Sequence, residues 1–139
     1  MTTENASPNG AVKIAQAKGR PHLMPLWFVL RDGLVHIWTY GASQKVRNVE
    51  RLGQATLLVE AGEQYRELRG AMLECDAEIV TDRAIVDDVG VALAGKHGQA
   101  SPGDPPDLVR AAVAKRGAKR VVVRFRPTHV VTWDHRKLR

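Results

Sequence analysis

The sequence has little of several features that define common protein classes. Its 139 residues include one cysteine, Cys75, which excludes an intrachain disulfide and a cysteine metal cluster, and we expect no metal site. No run of 18 apolar residues is present, so we expect no membrane span. Residues 1–10 are polar and lack the apolar core of a secretory leader. These absences favour a cytoplasmic protein with one hydrophobic core.

The chain does carry an excess of positive charge. Lys and Arg number 21 against 15 acidic residues, which gives a formal charge of +6. Such a surface attracts nucleic acid, anionic lipid or phosphorylated cofactors. Aromatic residues make up only 5% of the chain, too few for the stacking platform of a single-strand binder. The densest basic run, residues 115–120, is short, and we therefore treat nucleic-acid binding as a minor alternative.

Apolar periodicity and turn residues predict a mainly β protein with peripheral helices, an α+β fold. Residues 1–10 are expected to be a flexible leader and residues 11–139 a single domain, with a helical insertion at about 82–115. Strands are predicted at 11–17, 22–30, 34–39, 55–60, 65–80, 120–125 and 130–133, and helices at 44–52, 82–96 and 107–115. Short connections between strands favour a small antiparallel barrel.

Several residues make specific local predictions. Pro25 lies inside the predicted buried strand 22–30 and lacks a backbone donor, so it should mark a sheet edge or a bulge. Asp32-Gly33 between apolar runs predicts a tight hairpin. Gly70 suits a bulge or a sharp bend, and Pro127 should end one strand before another begins. Thr81 is the predicted N-cap of the second helix.

Residues 39–48 have the pattern of an anion site. A strand ends at Thr39, and Ser43 is placed as the N-cap of a helix, where free backbone N–H groups and the helix dipole favour negative charge. Lys45 and Arg47 follow in the first turns, where cations are unfavourable unless an anion balances them. A phosphate is the natural candidate, and the alternative is a capped surface helix with solvated side chains.

Residues 24–27, Met-Pro-Leu-Trp, suit a flat ligand. The gap that Pro25 leaves in the hydrogen-bond ladder could accept the edge of a planar heterocycle. Leu26 and Phe28 also fit a core strand, and Trp27 and Trp133 could be packed in the core or at an interface.

Taken in order, these motifs resemble the flavin/deazaflavin split β-barrel superfamily, the pyridoxamine 5′-phosphate oxidase-like group. They are Gly-Arg-Pro-His and Pro-Leu-Trp-Phe within 19–28, Thr39 followed by Ser-x-Lys-x-x-Asn at 43–48, and Leu-Arg-Gly at 68–70. The likeness is greatest to small members that use the deazaflavin coenzyme F-420, and it covers about residues 11–135. The resemblance implies a six-stranded antiparallel split β-barrel, a homodimer with cofactor clefts at its interface, and an F-420-dependent oxidoreductase acting on a small molecule.

The same resemblance implies the site residues. Ser43 and Lys45, with Arg47 and Asn48 nearby, would hold the cofactor phosphate, and Thr39 would contact the ribityl or phosphate region. The residues expected beside the ring are Met24, Pro25, Leu26 and Trp27. Trp133 would approach the cleft from the partner subunit.

No catalytic acid or base stands out in the sequence. The five histidines are spread along the chain, Tyr65 is a weak candidate proton donor, and Cys75 is expected to be an inert buried thiol. FMN is the rival cofactor, because it shares the ring-and-phosphate plan without an acidic tail. A flavin- or deazaflavin-binding protein without enzymatic activity is the second alternative.

Overall fold

The computed structural model describes residues 11–18 and 20–138, so the leader predicted at 1–10 lies outside it. The described chain contains seven strands and three α-helices. The strands are β1 (Ala11–Lys18), β2 (Arg20–Trp27), β3 (Val29–Arg31), β4 (Leu34–Tyr40), β5 (Gln54–Ala61), β6 (Arg69–Val80) and β7 (Arg120–Asp134). The helices are α1 (Gln44–Leu52), α2 (Arg83–Lys96) and α3 (Pro106–Arg116). The prediction of a mainly β fold with peripheral helices is confirmed.

The strands form one antiparallel sheet in the order β2-β1-β5-β6-β7-β4-β3. Its two edges, β2 and β3, are consecutive in the chain and are separated only by Phe28. The sheet therefore curls until its edges meet at one residue, although no ladder between β2 and β3 is formed in the described chain. A six-stranded barrel closed by hydrogen bonds is not confirmed, because Phe28 interrupts the strand that would close it.

The β2 edge differs from the buried strand that the sequence predicted. Side chains of β2 alternate between exposed and half-buried, because β2 pairs with β1 alone. Full burial begins only at Phe28 and Val29. Pro25 lies opposite Lys13 on this edge strand, and the prediction of an edge position for Pro25 is confirmed.

Two apolar clusters form the core on opposite faces of the sheet. One contains Phe28, Ile37, Leu57 and Phe125 and is covered by Val46 and Val49 of α1. The other packs Val86, Val89 and Leu93 of α2 against Val122 of β7. The helices thus cover both faces of the sheet.

The predicted hairpin at residues 32–33 is present between β3 and β4. Asp32 and Gly33 both have positive φ, 53° and 74°, as a two-residue type I′ turn requires. Helix α1 has the predicted bounds, and its N-cap is Ser43, whose Oγ accepts a hydrogen bond from the backbone N–H of Val46 at 3.4 Å. Helix α2 begins one residue later than predicted, because Asp82 rather than Thr81 caps it by accepting from Ile85 N.

Two predictions about strand irregularities are wrong. Pro127 does not end a strand: β7 runs through it, and the register shifts there between Glu74 and Cys75 of β6. Thr128, the extra residue of this bulge, donates its hydroxyl to the Glu74 carbonyl. Gly70 is paired in regular register instead, and it is small because a Cβ would lie 2.6 Å from the Trp133 ring.

Candidate cofactor-binding site

A cavity of about 400 Å³ opens between the β2 edge and the helical insertion. This volume lies in the range of about 300–1,000 Å³ typical of small-molecule sites. One wall is the C-terminal end of β2, and the opposite wall comes from α2 and from the turn between α3 and β7. The lining residues are Pro25, Leu26, Trp27, Trp38, Gly90, Leu93, Gln99, Arg116 and Arg120.

The indole of Trp38 is held between two glycines. A Cβ on Gly90 of α2 would lie 3.0 Å from the Trp38 ring, and a Cβ on Gly117 would lie 2.5 Å from it. Only glycine lets both backbones approach the ring this closely. The packing holds Trp38 in place at the cavity wall.

Arg120 brings positive charge to the cavity. Its guanidinium lies over the ring of Tyr40 at 4.1 Å and over that of Trp38 at 4.7 Å, both cation–π distances. The described residues form ion pairs at Asp88, Glu78 and Asp134, and none of these carboxylates pairs with Arg120 or Arg116. Two guanidinium groups without a carboxylate partner among the described residues therefore line one cavity.

Lys45 lies on the buried side of α1, with 9% of its surface exposed. The pKa of Lys45 is lowered, first because burial disfavours its charge and second because Arg120 is close. The nearby Thr39 hydroxyl is 3.5 Å from Ser43 Oγ and donates to it. The structure therefore brings Thr39, Ser43 and Lys45 together at the start of α1, close to Arg120, although none of the three lines the cavity itself.

The other predicted residues fall in three places. Asn48 is buried next to Lys45, and its Oδ1 accepts hydrogen bonds from Gln44 and Arg51, both at 2.9 Å. Arg47 is exposed on the opposite face of α1 and is not brought to the cavity. Met24 packs against the core, and Leu26 does so while also lining the cavity.

Trp133 and Tyr65 lie at the far end of β6 and β7. Trp133 packs over Gly70, and it does not line the cavity of its own chain. Tyr65 is largely exposed, and its carbonyl accepts a hydrogen bond from His135 Nδ1 at 2.8 Å. Neither residue is placed by this chain alone to act on a ligand in the cavity.

Three buried polar atoms beside the cavity have no hydrogen-bond partner among the described residues: Trp38 Nε1, Arg120 Nε and His97 Nε2. The His97 ring stacks on Trp27 with 3.9 Å between centroids and 9° between planes. The pKa of His97 is lowered, first by burial and then by Lys96. At least two of these atoms are donors, the indole N–H of Trp38 and the Nε–H of Arg120.

Neither a metal site nor a reactive thiol is found in the part of the chain that is described. His, Cys, Asp and Glu side chains of residues 20–138 form no group of three able to hold an ion. Cys75 is buried, and burial followed by the nearby Asp76 raises the pKa of its thiol to about 11. No described helix is long and apolar enough to cross a membrane.

Sequence reasoning missed the half of the site that comes from the helical insertion. Trp38, Gly90, Gln99, Arg116 and Arg120 lie far apart in the sequence and meet only through tertiary packing. The basic run at 115–120 can be recognised in the sequence. Which of its side chains reach the cavity depends on the turn between α3 and β7. That turn is closed by Arg83, whose guanidinium donates to the carbonyls of Gly117 and Arg120.

Comparisons with known proteins agree with this architecture. The family model for pyridoxamine 5′-phosphate oxidase matches residues 8–134. A conserved hypothetical protein of Mycobacterium tuberculosis is 33% identical, with a TM-score of 0.83 over 92% of this chain and 79% of that one. A FAD-binding protein of Mesorhizobium loti is 18% identical, with a TM-score of 0.68 over 94% of this chain and 89% of that one.

An F-420 reductase is 19% identical, with a TM-score of 0.64 over 93% of this chain and 94% of the reductase. No curated protein matches the sequence significantly. The likenesses below 25% identity establish the shared fold.

Proposed function

Because the chain belongs to the pyridoxamine 5′-phosphate oxidase family, within the split-barrel superfamily that binds flavins and F-420, we propose that it is an F-420-dependent oxidoreductase. The observation that carries this proposal is the cavity itself. It joins the β2 edge to a cationic end lined by Arg116 and Arg120, and Arg120 is in turn close to Lys45 of α1. A planar ring bearing a phosphate suits these two ends.

The chain's own residues would bind and orient the cofactor. Ser43, the backbone N–H groups at the start of α1, and Lys45 hold the phosphate, because a helix N-terminus and an ammonium both stabilise negative charge. The β2 backbone beside Pro25 and Trp27 lies along the ring, with Trp38 opposite. When bound, the deazaflavin supplies hydride transfer at its C5 position, and the protein supplies position and electrostatics.

The proposal includes the way in which the curled sheet forms a barrel. Counting β2 and β3 as one strand bent at Phe28 makes the sheet a six-stranded split barrel. Lys96 supports the bend, since its Nζ donates to the Phe28 carbonyl at 2.7 Å and lies 3.8 Å from the centre of the Phe28 ring. The bend opens the β2 end of the cavity.

A homodimer with cofactor clefts at its interface completes the site. The outer half of β7 supports it, because residues 126–134 pair only with β6 and leave Val130 and Val131 50% and 41% exposed. Trp133 lies in the same segment and would reach the cleft of the partner subunit. Exposed apolar residues on an unpaired strand edge are typical of an interface between chains.

FMN is the second candidate cofactor. The FAD-binding relative supports a flavin, whereas the two arginines of the cavity favour a ligand with more negative charge than one phosphate. A binding protein without turnover is the third candidate.

Fluorescence titration of the purified protein with F-420 and with FMN separates the two cofactors. We expect saturation at one cofactor per chain with the tighter affinity for F-420. If FMN binds more tightly, FMN rather than F-420 is the cofactor of the protein. If neither binds, the proposal is overturned. Oxidation of reduced F-420 by quinones, nitro compounds and unsaturated carbonyls then tests for turnover. If none of these compounds is reduced, the protein is a cofactor-binding protein without enzymatic activity.

A further inference from the structure

We propose that Arg120 is a ligand-binding residue that shares the anionic group of the cofactor with Lys45, and that the helical insertion holds it in place for this purpose. The inference adds a residue to the proposed cofactor site. It rests on the proposed function because it assumes that the ligand carries a phosphate. The sequence motifs of the predicted anion site do not include this position.

The backbone of Arg120 is fixed from two sides. Its carbonyl accepts a hydrogen bond from Arg83 Nη1 at 2.9 Å, and the neighbouring Lys119 carbonyl accepts one from Gly41 N at 3.0 Å. Arg120 pairs with Tyr40 in the β4–β7 ladder, so it lies beside the loop that leads to Ser43. The residue is thus attached to the loop that forms the predicted phosphate site.

The guanidinium is fixed as well. Stacking on Tyr40 and Trp38 restricts its plane, and Trp38 is itself held by Gly90 and Gly117. A guanidinium that stacks on aromatic rings keeps its N–H donors free at its edge. These donors can contact a phosphate or carboxylate that lies in the plane of the guanidinium. Arg120 Nε is buried and has no hydrogen-bond partner among the described residues. Buried donors in native proteins are normally hydrogen-bonded, so Arg120 has hydrogen-bonding capacity that the described residues do not use.

The electrostatics point to an anion as that ligand. Arg120, which lines the cavity, lies close enough to Lys45 of α1 to help lower the pKa of its ammonium, so the two cations repel each other. Arg116 lines the same cavity. A phosphate between Arg120 and Lys45 would remove the repulsion and accept charge-assisted hydrogen bonds from both.

The test compares FMN with riboflavin, which has the same ring but lacks the phosphate. Dissociation constants are measured by fluorescence quenching for the wild type, Arg120→Ala and Arg120→Lys. We expect Arg120→Ala to weaken FMN binding by about tenfold or more and to leave riboflavin binding nearly unchanged. Arg120→Lys should recover part of the FMN affinity, because it keeps the charge and loses the planar stack.

The matched control is Lys115→Ala, which removes one positive charge from exposed α3 without touching the cavity. It should leave both dissociation constants unchanged. Equal weakening of FMN and riboflavin by Arg120→Ala would show that Arg120 only supports the fold, and unchanged FMN binding would show no contact. Either result overturns the inference.

Failure of the proposed function can be told apart from failure of this inference. If the wild type binds neither flavin, the same comparison is made with F-420 and the deazaflavin riboside that lacks its phosphate and tail. If these do not bind, calorimetry with inorganic pyrophosphate tests whether the site binds an anion that carries no ring. Pyrophosphate binding that is lost in Arg120→Ala upholds the role of Arg120, and no binding to the wild type overturns it.

Discussion

At the scale of single residues, Lys45 is a cation in an unfavourable environment. Its ammonium lies on the buried side of α1, near the guanidinium of Arg120, and both burial and that neighbour lower its pKa. A charged group in such a place is stabilised when an anion binds. A phosphate bound near Lys45 and Arg120 would therefore stabilise both cations.

The Lys45→Ala variant tests this position. We expect it to weaken binding of F-420 or FMN by about 1–3 kcal/mol, since it removes a charge-assisted hydrogen bond to the phosphate. Titration of the variant against the wild type measures the loss, with Lys115→Ala as the exposed control. An affinity equal to that of the wild type would show that the phosphate does not lie at the start of α1.

His36 makes stability depend on pH. The ring is fully buried, its Nδ1–H donates to the Leu34 carbonyl at 2.9 Å, and its Nε2 has no partner among the described residues. Burial is the largest cause that lowers the pKa of His36 below 6.5, and nearby Arg124 and Arg31 add to it. The unfolded chain therefore takes up a proton at a higher pH than the folded chain does.

We expect the free energy of unfolding to fall as the pH drops below about 6.5, because protonation then favours the unfolded state. Urea unfolding at several pH values measures the slope. The His36→Gln variant should show a shallower slope, while His97, whose pKa is also lowered, accounts for a remaining part. A slope identical to that of the wild type would exclude His36 as its source.

Residues of the anion site differ in how far the sequence alone could identify them. Ser43 and Lys45 are close together in the chain, and the rules for helix N-termini predict an anion there from local sequence. Arg120 lies beside the loop that leads to Ser43 only because β7 pairs with β4, a contact between residues about 80 positions apart. Arg47 shows the converse, since local spacing placed it in the site and the helix turns it toward solvent.

At the scale of elements, α2 and α3 convert an open sheet edge into a cavity. Gly90 of α2 approaches the Trp38 ring and the Val113 side chain of α3, where a Cβ would lie 2.5 Å from Val113 Cγ1. Gly95, on the same helix, has open space where its Cβ would be. The two glycines therefore give a matched pair of substitutions.

We expect Gly90→Ala to lower the free energy of unfolding by about 1–3 kcal/mol through overpacking, and to weaken cofactor binding because Trp38 moves. Gly95→Ala should be neutral or should stabilise the protein by up to about 1 kcal/mol, since alanine favours a helix. Urea unfolding of both variants checks the pair. Equal effects at the two positions would contradict the tight packing of α2 on Trp38.

The elements themselves could be predicted well from the sequence where their signals are local. Ser43 and the apolar spacing predicted α1 at its observed bounds, and Asp32-Gly33 predicted its hairpin. Burial of β2 and continuity of β7 could not be predicted, because both depend on which strands lie alongside. Pro127 fits inside β7 only because a bulge opposite Cys75 accommodates it.

At the scale of the whole molecule, the proposed function includes a second chain that completes the site. Trp133 packs at the far end of β6 and β7, and the outer half of β7 exposes Val130 and Val131. A dimer across this strand would cover the valines and would carry Trp133 toward the partner's cavity.

Sedimentation of the wild type should therefore show a dimer. The Val130→Glu/Val131→Glu double variant should shift it toward the monomer, because two charges would be buried in an apolar interface. Leu108→Glu, at an even more exposed apolar position on α3, should leave the dimer intact. A wild-type monomer, or a double variant that stays fully dimeric, would contradict this interface.

A crystal structure of the protein with bound cofactor tests the central claim most directly. After crystals are grown with F-420 or FMN, the electron density shows where the ring and the phosphate lie. The ring should lie between β2 at Pro25–Trp27 and Trp38, with the phosphate at Ser43, Lys45 and Arg120. A ring bound outside this cavity, or a phosphate distant from both cations, would contradict the account.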